Sequence, residues 1–394
     1  MIHPFTDLLE RSCKPSRLVV GLMSGTSADS IDVAVCRMTG LGAEIQVQLL
    51  HYREHAHAPE VTRRVLGIAG LDVRGIAELN VMVGEAFAAA CLATLDEAGF
   101  AREEIDVIGS HGQTVYHHSG VAGALRATLQ VGDGDVIAVR TGLPVIADFR
   151  ARDLAAGGEG APLSPIADFV LFGGRRSEAG RRRAILNLGG IANLTVLDDD
   201  PARVFGFDTG PANAPLDRLA RRLSGGALAC DQDGRLARSG RVDHRLLAAM
   251  LEDDPFLARR PPKSTGFETY GDAFVARVAE RHGGYDADVI ATVTAFVART
   301  IALGLGHCAR LGPPVEEVIA AGGGVKNPAL MEQIAAAMEP IPLRRSDEFG
   351  VPADAREAMA FAVLADMTLR GRPAWVPPVT GATAPKLLGK LSFP

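Results

Sequence analysis

Residues 18–35 read LVVGLMSGTSADSIDVAV: two apolar, β-branched-rich runs joined by Gly, Ser and Thr, with Asp29 and Asp32 close behind. Runs of that composition favour strands, and the small polar core between them favours a tight hairpin turn. Such a turn suits an oxyanion, because glycine lets backbone N–H groups approach it and Ser or Thr hydroxyls add donors. This one carries no lysine, so it is not the GxxxxGK[ST] loop of P-loop NTPases.

Two further Gly-rich turns follow apolar strands: LNLGGIAN at 186–193 and AAGGGVKN at 320–327. None opens a helix as GxGxxG with an acid about 20 residues on, so a Rossmann dehydrogenase is not expected. Any one such turn is as compatible with an ordinary hairpin as with a ligand loop. Three in strand contexts, in two halves of the chain, carry more weight.

Around these turns the pattern repeats. RLVVGLMSG and IDVAVCRM form the first hairpin, AEIQVQLLHYREH a third strand, and ELNVMVGEAFAAACLATLDEAG a helix closed by Gly99. IDVIGSHGQTV reads as a short buried strand ending in a polar loop, and PVIADFR as another strand. A second cycle runs from RRRAILNLGGIANLTVLD through RVFGFDTGPANAPLD to a long helix, and then to EEVIAAGGGVKNPALMEQIAAAM. PADAREAMAFAVLADMTLRG is a last helix, and the Pro/Gly-rich tail reads as a surface return. This approximate duplication predicts an α/β protein of two domains with mixed sheets and a cleft between them, divided near residue 148, with the chain from about 367 crossing back to the first domain.

Length and composition agree. A chain of 394 residues exceeds what one core usually organises. Its formal net charge of −6 gives no electrostatic reason to expect nucleic acid or an anionic membrane as partner. No uninterrupted apolar run reaches the length of a membrane span, and the N-terminus has no signal-peptide h-region. Cys13, Cys36, Cys91, Cys230 and Cys308 lie far apart without metal-ligand spacing, as reduced thiols in a cytoplasmic protein would.

What remains after these exclusions is the two-domain nucleotide cleft of the sugar kinase, actin and Hsp70 superfamily, an RNase H-like fold. More narrowly, GLMSGTSADSID, SHGQTVYH, TLQVGDGDVIA, ADFRARDLAAGGEGAPLSP, LNLGGIANLTVL, FDTGPANAPLD, PPKSTG, AGGGVKNP and DAREAMAFAVLA run in order over most of the chain. Together they resemble the anhydro-N-acetylmuramic acid kinases. That resemblance implies ATP-dependent hydrolysis of the 1,6-anhydro bond with phosphorylation of O6, a step in cell-wall recycling, and a homodimer.

By the resemblance, Asp208 of FDTGP is the base for the attacking water. Its place at the end of an apolar strand suits a general base, although an Asp there also caps a following helix. Arg150 is the fork for the substrate's carboxylate, and Gln113, Thr114, His117 and Glu357 are candidates for the rest of the sugar. ATP is expected on Ser24, Gly25, Thr26, Ser27, Asp29, Asp32, Asn187, Gly189, Gly190, Asn193, Gly322, Gly323, Gly324 and Asn327. Superfamily members carry Asp where this chain has Met23 and Asn187, which leaves Asp29 and Asp32 as the local candidates for Mg²⁺. Ala28, Ser30, Glu159, Ala212 and Phe267 depart from the family pattern, and Phe267 puts a phosphate or sugar contact at its position in doubt. Another sugar kinase of the same fold, or a non-catalytic sensor on it, stays open.

Overall fold

The apolar runs either side of the first turn pair as the expected hairpin in the computed structural model, which describes residues 3–25, 27–40, 45–118, 125–173, 182–198, 200, 203–261, 263–374 and 377–394. The chain folds as two units. Unit 1 is Met1–Ser177, Asp199–Val204 and Ala355–Pro394, and unit 2 is Glu178–Asp198 and Phe205–Asp354.

Unit 1 contains β1 (Ser16–Ser24), β2 (Ser30–Thr39), β3 (Gln46–Ala56), β4 (Ile105–His118), β5 (Ala127–Val131) and β6 (Val145–Ala147). Unit 2 contains β7 (Arg183–Leu188), β8 (Ile191–Val196), β9 (Phe205–Pro211), β10 (Glu317–Ala321) and β11 (Leu343–Arg345), and β12 (Lys390–Ser392) returns to unit 1. The sheet orders are β12-β6-β4-β1-β2-β3, with β5 on β4, and β11-β10-β7-β8-β9. In each unit three antiparallel strands continue into two parallel ones. The duplication read from the sequence is therefore a duplication of topology.

In unit 1, Val20, Leu22, Ile31, Val33 and Val35 pack with Leu79, Val83, Phe87 and Leu95 of the Val73–Ala98 helix. Alternation sends Gly21 to the opposite face, where the Arg356–Leu369 helix lies so close that a Cβ on Gly21 would sit 1.8 Å from the Ala358 carbonyl oxygen. That helix is tied to the sheet by a fully buried ion pair, with Arg17 Nε donating to Asp366 Oδ1 at 2.5 Å and Nη2 to Oδ2 at 3.3 Å. Removing one partner strands a buried charge. Asp366→Ala is expected to cost about 3–5 kcal/mol, read from the midpoint of chemical unfolding.

Three expectations shift. The domain breaks fall at 177/178 and 354/355 rather than near 148 and 367. The Phe149–Ala155 and Ser164–Gly173 helices belong to unit 1, and Arg356 reaches Asp168 there through a buried ion pair. The strand at 105 does not end at a polar loop. It runs on to His118, because β5 pairs its second half. Nor is the tail merely a surface return: Thr380 is buried against Asp153, and β12 pairs with β6.

Two helices, Val73–Ala98 and Ala287–Leu311, are long and apolar enough to cross a membrane by length and composition. In the second, 78% of the most apolar window is buried inside the protein. Its Val293, Phe296 and Ile301 pack with Leu186, Leu194 and Phe207 in the core of unit 2.

Candidate active site

The sheet register of unit 2 assembles a polar row. Asn187 on β7 faces Asn193 on β8, which faces Asp208 on β9. Their neighbours Leu186, Leu194 and Phe207 face one another in the same way and enter the core. Since side chains alternate, the three polar residues share the other face.

Asp208 is held from one side. Its Oδ2 accepts from Ser264 Oγ at 2.8 Å and from the Thr265 N–H at 2.9 Å. Its Oδ1 accepts no hydrogen bond among the described residues. Burial pushes its pKa up, against the lowering pull of these two donors and of Lys263. A carboxylate with a fixed orientation, a free oxygen and raised basicity has the properties of a general base. It also does not cap the next helix: the Asn213–Leu223 helix has Ala212 at its N-cap. Lys263 itself is buried, its ammonium 4.4 Å from the centre of the Phe256 ring.

The Gly189-Gly190 turn is tied to the start of that helix. The N–H of Asn213 donates to the Gly189 carbonyl, and those of Ala212 and Ala214 to that of Gly190. In a trans peptide C=O and N–H point in opposite directions, so the Gly190 N–H points away from the helix, the direction from which an anion would approach the turn. Phe267 fits this turn. A Cβ on Gly190 would lie 2.8 Å from its ring, and the Arg218 guanidinium stacks 5.4 Å from its centre. The aromatic ring thus supports the turn, and Arg218 brings a cation over that ring.

The third turn divides its glycines by task. Gly322, at φ +85°, and Gly324 leave no room for a Cβ against Leu188. Gly323 is open and lines a cavity of about 480 Å³ with Asn213, Asp217, Cys230, Asp231 and Asn327. Asn327 spends its side-chain oxygen capping the Pro328–Met338 helix through the Leu330 N–H at 3.0 Å. Asp231 likewise accepts from the N–H groups of Leu236 and Ala237. Asp217 has no hydrogen bond among the described residues, and burial pushes its pKa up to about 6.

In unit 1 the first turn is built from beneath. Ser24 Oγ lies 2.6 Å from Gln113 Oε1 and 3.0 Å from His57 Nε2. Gln113 Nε2 donates to the carbonyls of Gly25 and Thr114 at 2.9 and 3.2 Å. Both side chains are buried with their polar atoms engaged. The side chains of Gln113, expected on the sugar, and Ser24, expected on ATP, are spent on shaping the turn. Gly25 is open, and Ser27 Oγ donates to Asp29 Oδ1 at 2.7 Å on the exposed side. Thr26 lies outside the described residues. Asp32 accepts from the Tyr52 hydroxyl at 2.7 Å. Among the described residues no three His, Cys, Asp or Glu side chains are grouped to hold a metal.

Arg150 is half-buried. Its Nε donates to His111 Nε2 at 3.1 Å and its Nη1 to the Gly160 carbonyl at 2.9 Å. Burial lowers its pKa to about 10 against the raising effect of Glu357 and Asp153. Glu357 is exposed in the first turn of its helix, where the dipole favours an acid. Thr114 Oγ1 accepts from Gln130, and the exposed His117 contacts Thr128 Oγ1. His117 and Glu357 both lie within electrostatic reach of Arg150. The buried pair Asp168 and Arg356 carried no sequence signal.

A family model described as anhydro-N-acetylmuramic acid kinase matches residues 17–394. The anhydro-N-acetylmuramic acid kinase of Caldanaerobacter subterraneus subsp. tengcongensis is 38% identical over 392 residues, covering 96% of this chain and 98% of its own. That of Salinibacter ruber is 40% identical over 399 residues, covering 98% and 99%. That of Synechococcus elongatus is 39% identical over 380 residues, covering 94% and 98%. With a match of this extent, the chain belongs to the anhydro-N-acetylmuramic acid kinase family and is a kinase.

Proposed function

We propose that the enzyme converts 1,6-anhydro-N-acetylmuramic acid, ATP and water into N-acetylmuramic acid 6-phosphate and ADP, in peptidoglycan recycling. The observation that carries this reading is Asp208, oriented by Ser264 and Thr265 with one oxygen unbonded among the described residues, in register with Asn193 and, one strand beyond, Asn187.

Asp208 takes a proton from the water whose oxygen bonds to C1. The C1–O6 bond breaks, O6 bonds to the γ-phosphorus, and the bond from that phosphorus to the β–γ bridging oxygen breaks to release ADP. Arg150 takes the lactyl carboxylate, with His117, Thr114 and Glu357 as further sugar contacts. The Gly190 N–H and the open Gly25 serve the phosphates, and the cavity beside Gly323 takes the nucleoside. Asn193 is the cross-strand neighbour of Asp208 and Asn187 stands one strand beyond; both are neutral, which avoids placing a second carboxylate in the row beside a base and a polyphosphate. Mg²⁺ bound with ATP would supply neutralisation of phosphate charge; of the two local acids Asp29, which is exposed, would hold it, because Asp32 accepts from Tyr52. The enzyme is read as a cytoplasmic homodimer.

The test is ATP consumption with 1,6-anhydro-N-acetylmuramic acid in H₂¹⁸O, with product mass and label position read together. The expected product carries one phosphate and ¹⁸O at the anomeric carbon. Phosphate transfer without label would instead indicate a kinase acting on an open sugar.

A further inference from the structure

Beside Arg150 stands a histidine to which the proposed reaction gives no role. His111 is 4% exposed and packs against Phe361 with ring centres 4.5 Å apart and planes tilted by 36°. Its Nδ1 lies 3.0 Å from the Gly112 carbonyl. A carbonyl can only accept, so Nδ1 carries the hydrogen and Nε2 keeps its lone pair. That lone pair receives the Arg150 Nε–H at 3.1 Å. A protonated imidazole would set donor against donor between two cations. Burial and the Arg150 charge both hold the imidazole's pKa well below its usual range, so the acceptor persists at neutral pH.

The other side of the guanidinium is also anchored. Nη1 donates to the Gly160 carbonyl, while the Gly160 N–H donates to Asp153 Oδ2 at 2.8 Å and Thr380 Oγ1 donates to Asp153 Oδ1 at 2.8 Å. The loop is therefore a rigid abutment. Nη2 is left without a hydrogen-bond partner among the described residues. An arginine meets a carboxylate either along its Nε–Nη2 edge or across its two Nη atoms.

We infer that His111 is a positioning residue: it occupies the Nε edge of Arg150 and so commits the outer Nη end of the guanidinium to the carboxylate of a sugar acid. The inference rests on Arg150 being the ligand of that carboxylate, as proposed above. The histidine touches no substrate and acts through the arginine alone. A sugar without the acid group gains nothing from this alignment.

The test uses the full-length enzyme with His111→Leu, which keeps volume but removes the acceptor, and His111→Gln, whose amide oxygen reaches the Nε2 position. His111→Leu is expected to raise the KM for the anhydro-sugar about tenfold or more, the usual effect of losing a hydrogen bond to a charged group. The KM for ATP and the kcat stay near wild type, and His111→Gln recovers most of the loss. Should the leucine variant not fold, His111→Asn withdraws the acceptor without crowding Phe361 and is read the same way. An unchanged sugar KM in the acceptor-less variant overturns the inference. So does a loss shared equally by sugar and ATP that follows Tm and is not recovered by Gln. Arg150→Ala separates the two levels: if it leaves the sugar KM unchanged, the assignment of Arg150 itself fails. If it raises that KM while His111→Leu is silent, only the role of His111 fails.

Discussion

Asp208→Asn folds as the parent does and loses about 10²–10⁴-fold in kcat, the range expected when a positioned general base is removed. The substitution is isosteric, and the Asn side-chain oxygen still accepts from Ser264 and Thr265, so the β9 register is kept. The sign of the stability effect follows from burial. Burial raises the folded-state pKa of Asp208, so the ionised side chain is a net cost to folding above its unfolded pKa. Asn lifts that cost, and Tm at pH 7–8 is expected to equal or exceed the parent's. In the parent, the same raised pKa makes kcat fall as pH drops through it, because only the carboxylate takes a proton. Paired thermal melts and single-turnover rates check both halves. A variant with parental turnover, or one that loses activity only because it unfolds, removes Asp208 from the mechanism.

The second large effect is structural. Gly21→Ala places a methyl 1.8 Å from the Ala358 carbonyl oxygen and 2.9 Å from the Ala362 nitrogen, both backbone atoms. Gly109, its register partner on β4, faces the same helix, where a Cβ would lie 2.3 Å from the Phe361 carbonyl oxygen. The two glycines form the floor on which the Arg356–Leu369 helix lies. A side chain can rotate away from a clash, but a helix backbone pinned by Arg17–Asp366 can only move as a body. The expected cost therefore exceeds the roughly 1–3 kcal/mol of ordinary overpacking, with loss of soluble protein at 37 °C. Gly306→Ala is the control. It sits in the Ala287–Leu311 helix with nothing within 4 Å of its Cβ, so it gains up to about 1 kcal/mol from helix propensity. Denaturant midpoints of the two variants give the comparison, and a Gly21→Ala midpoint close to the parent's would mean that the helix is free to shift.

Much of the site was legible because its signals are local. The three Gly-rich turns and the strand before Asp208 are each written within a few residues, whereas Asn327, expected on ATP, spends its side-chain oxygen on the cap of the next helix. Gln113 shows where that reading fails. A polar residue after a buried strand reads as a ligand contact, yet β5 pairs there and Gln113 turns inward to hold Gly25. Phe267, which put a phosphate or sugar contact in doubt, has a packing role that the sequence did not announce: its ring lies against Gly190 and Arg218 lies over it.

By itself the sequence determined the two hairpin-led α/β halves, their order and the family they belong to, since strand alternation, glycine turns and motif spacing act over short stretches of chain. Only the tertiary structure decided what stands beside what. Register alone lined up Asn187, Asn193 and Asp208 across three strands. Packing alone paired Arg17 with Asp366, 349 residues away, and Asp168 with Arg356, 188 away. It also chose which hydrogen-bonding edge of Arg150 His111 would occupy. Ion pairs and buried hydrogen bonds of this kind depend on low-dielectric surroundings that exist only once the chain has folded, so no short stretch of sequence encodes them.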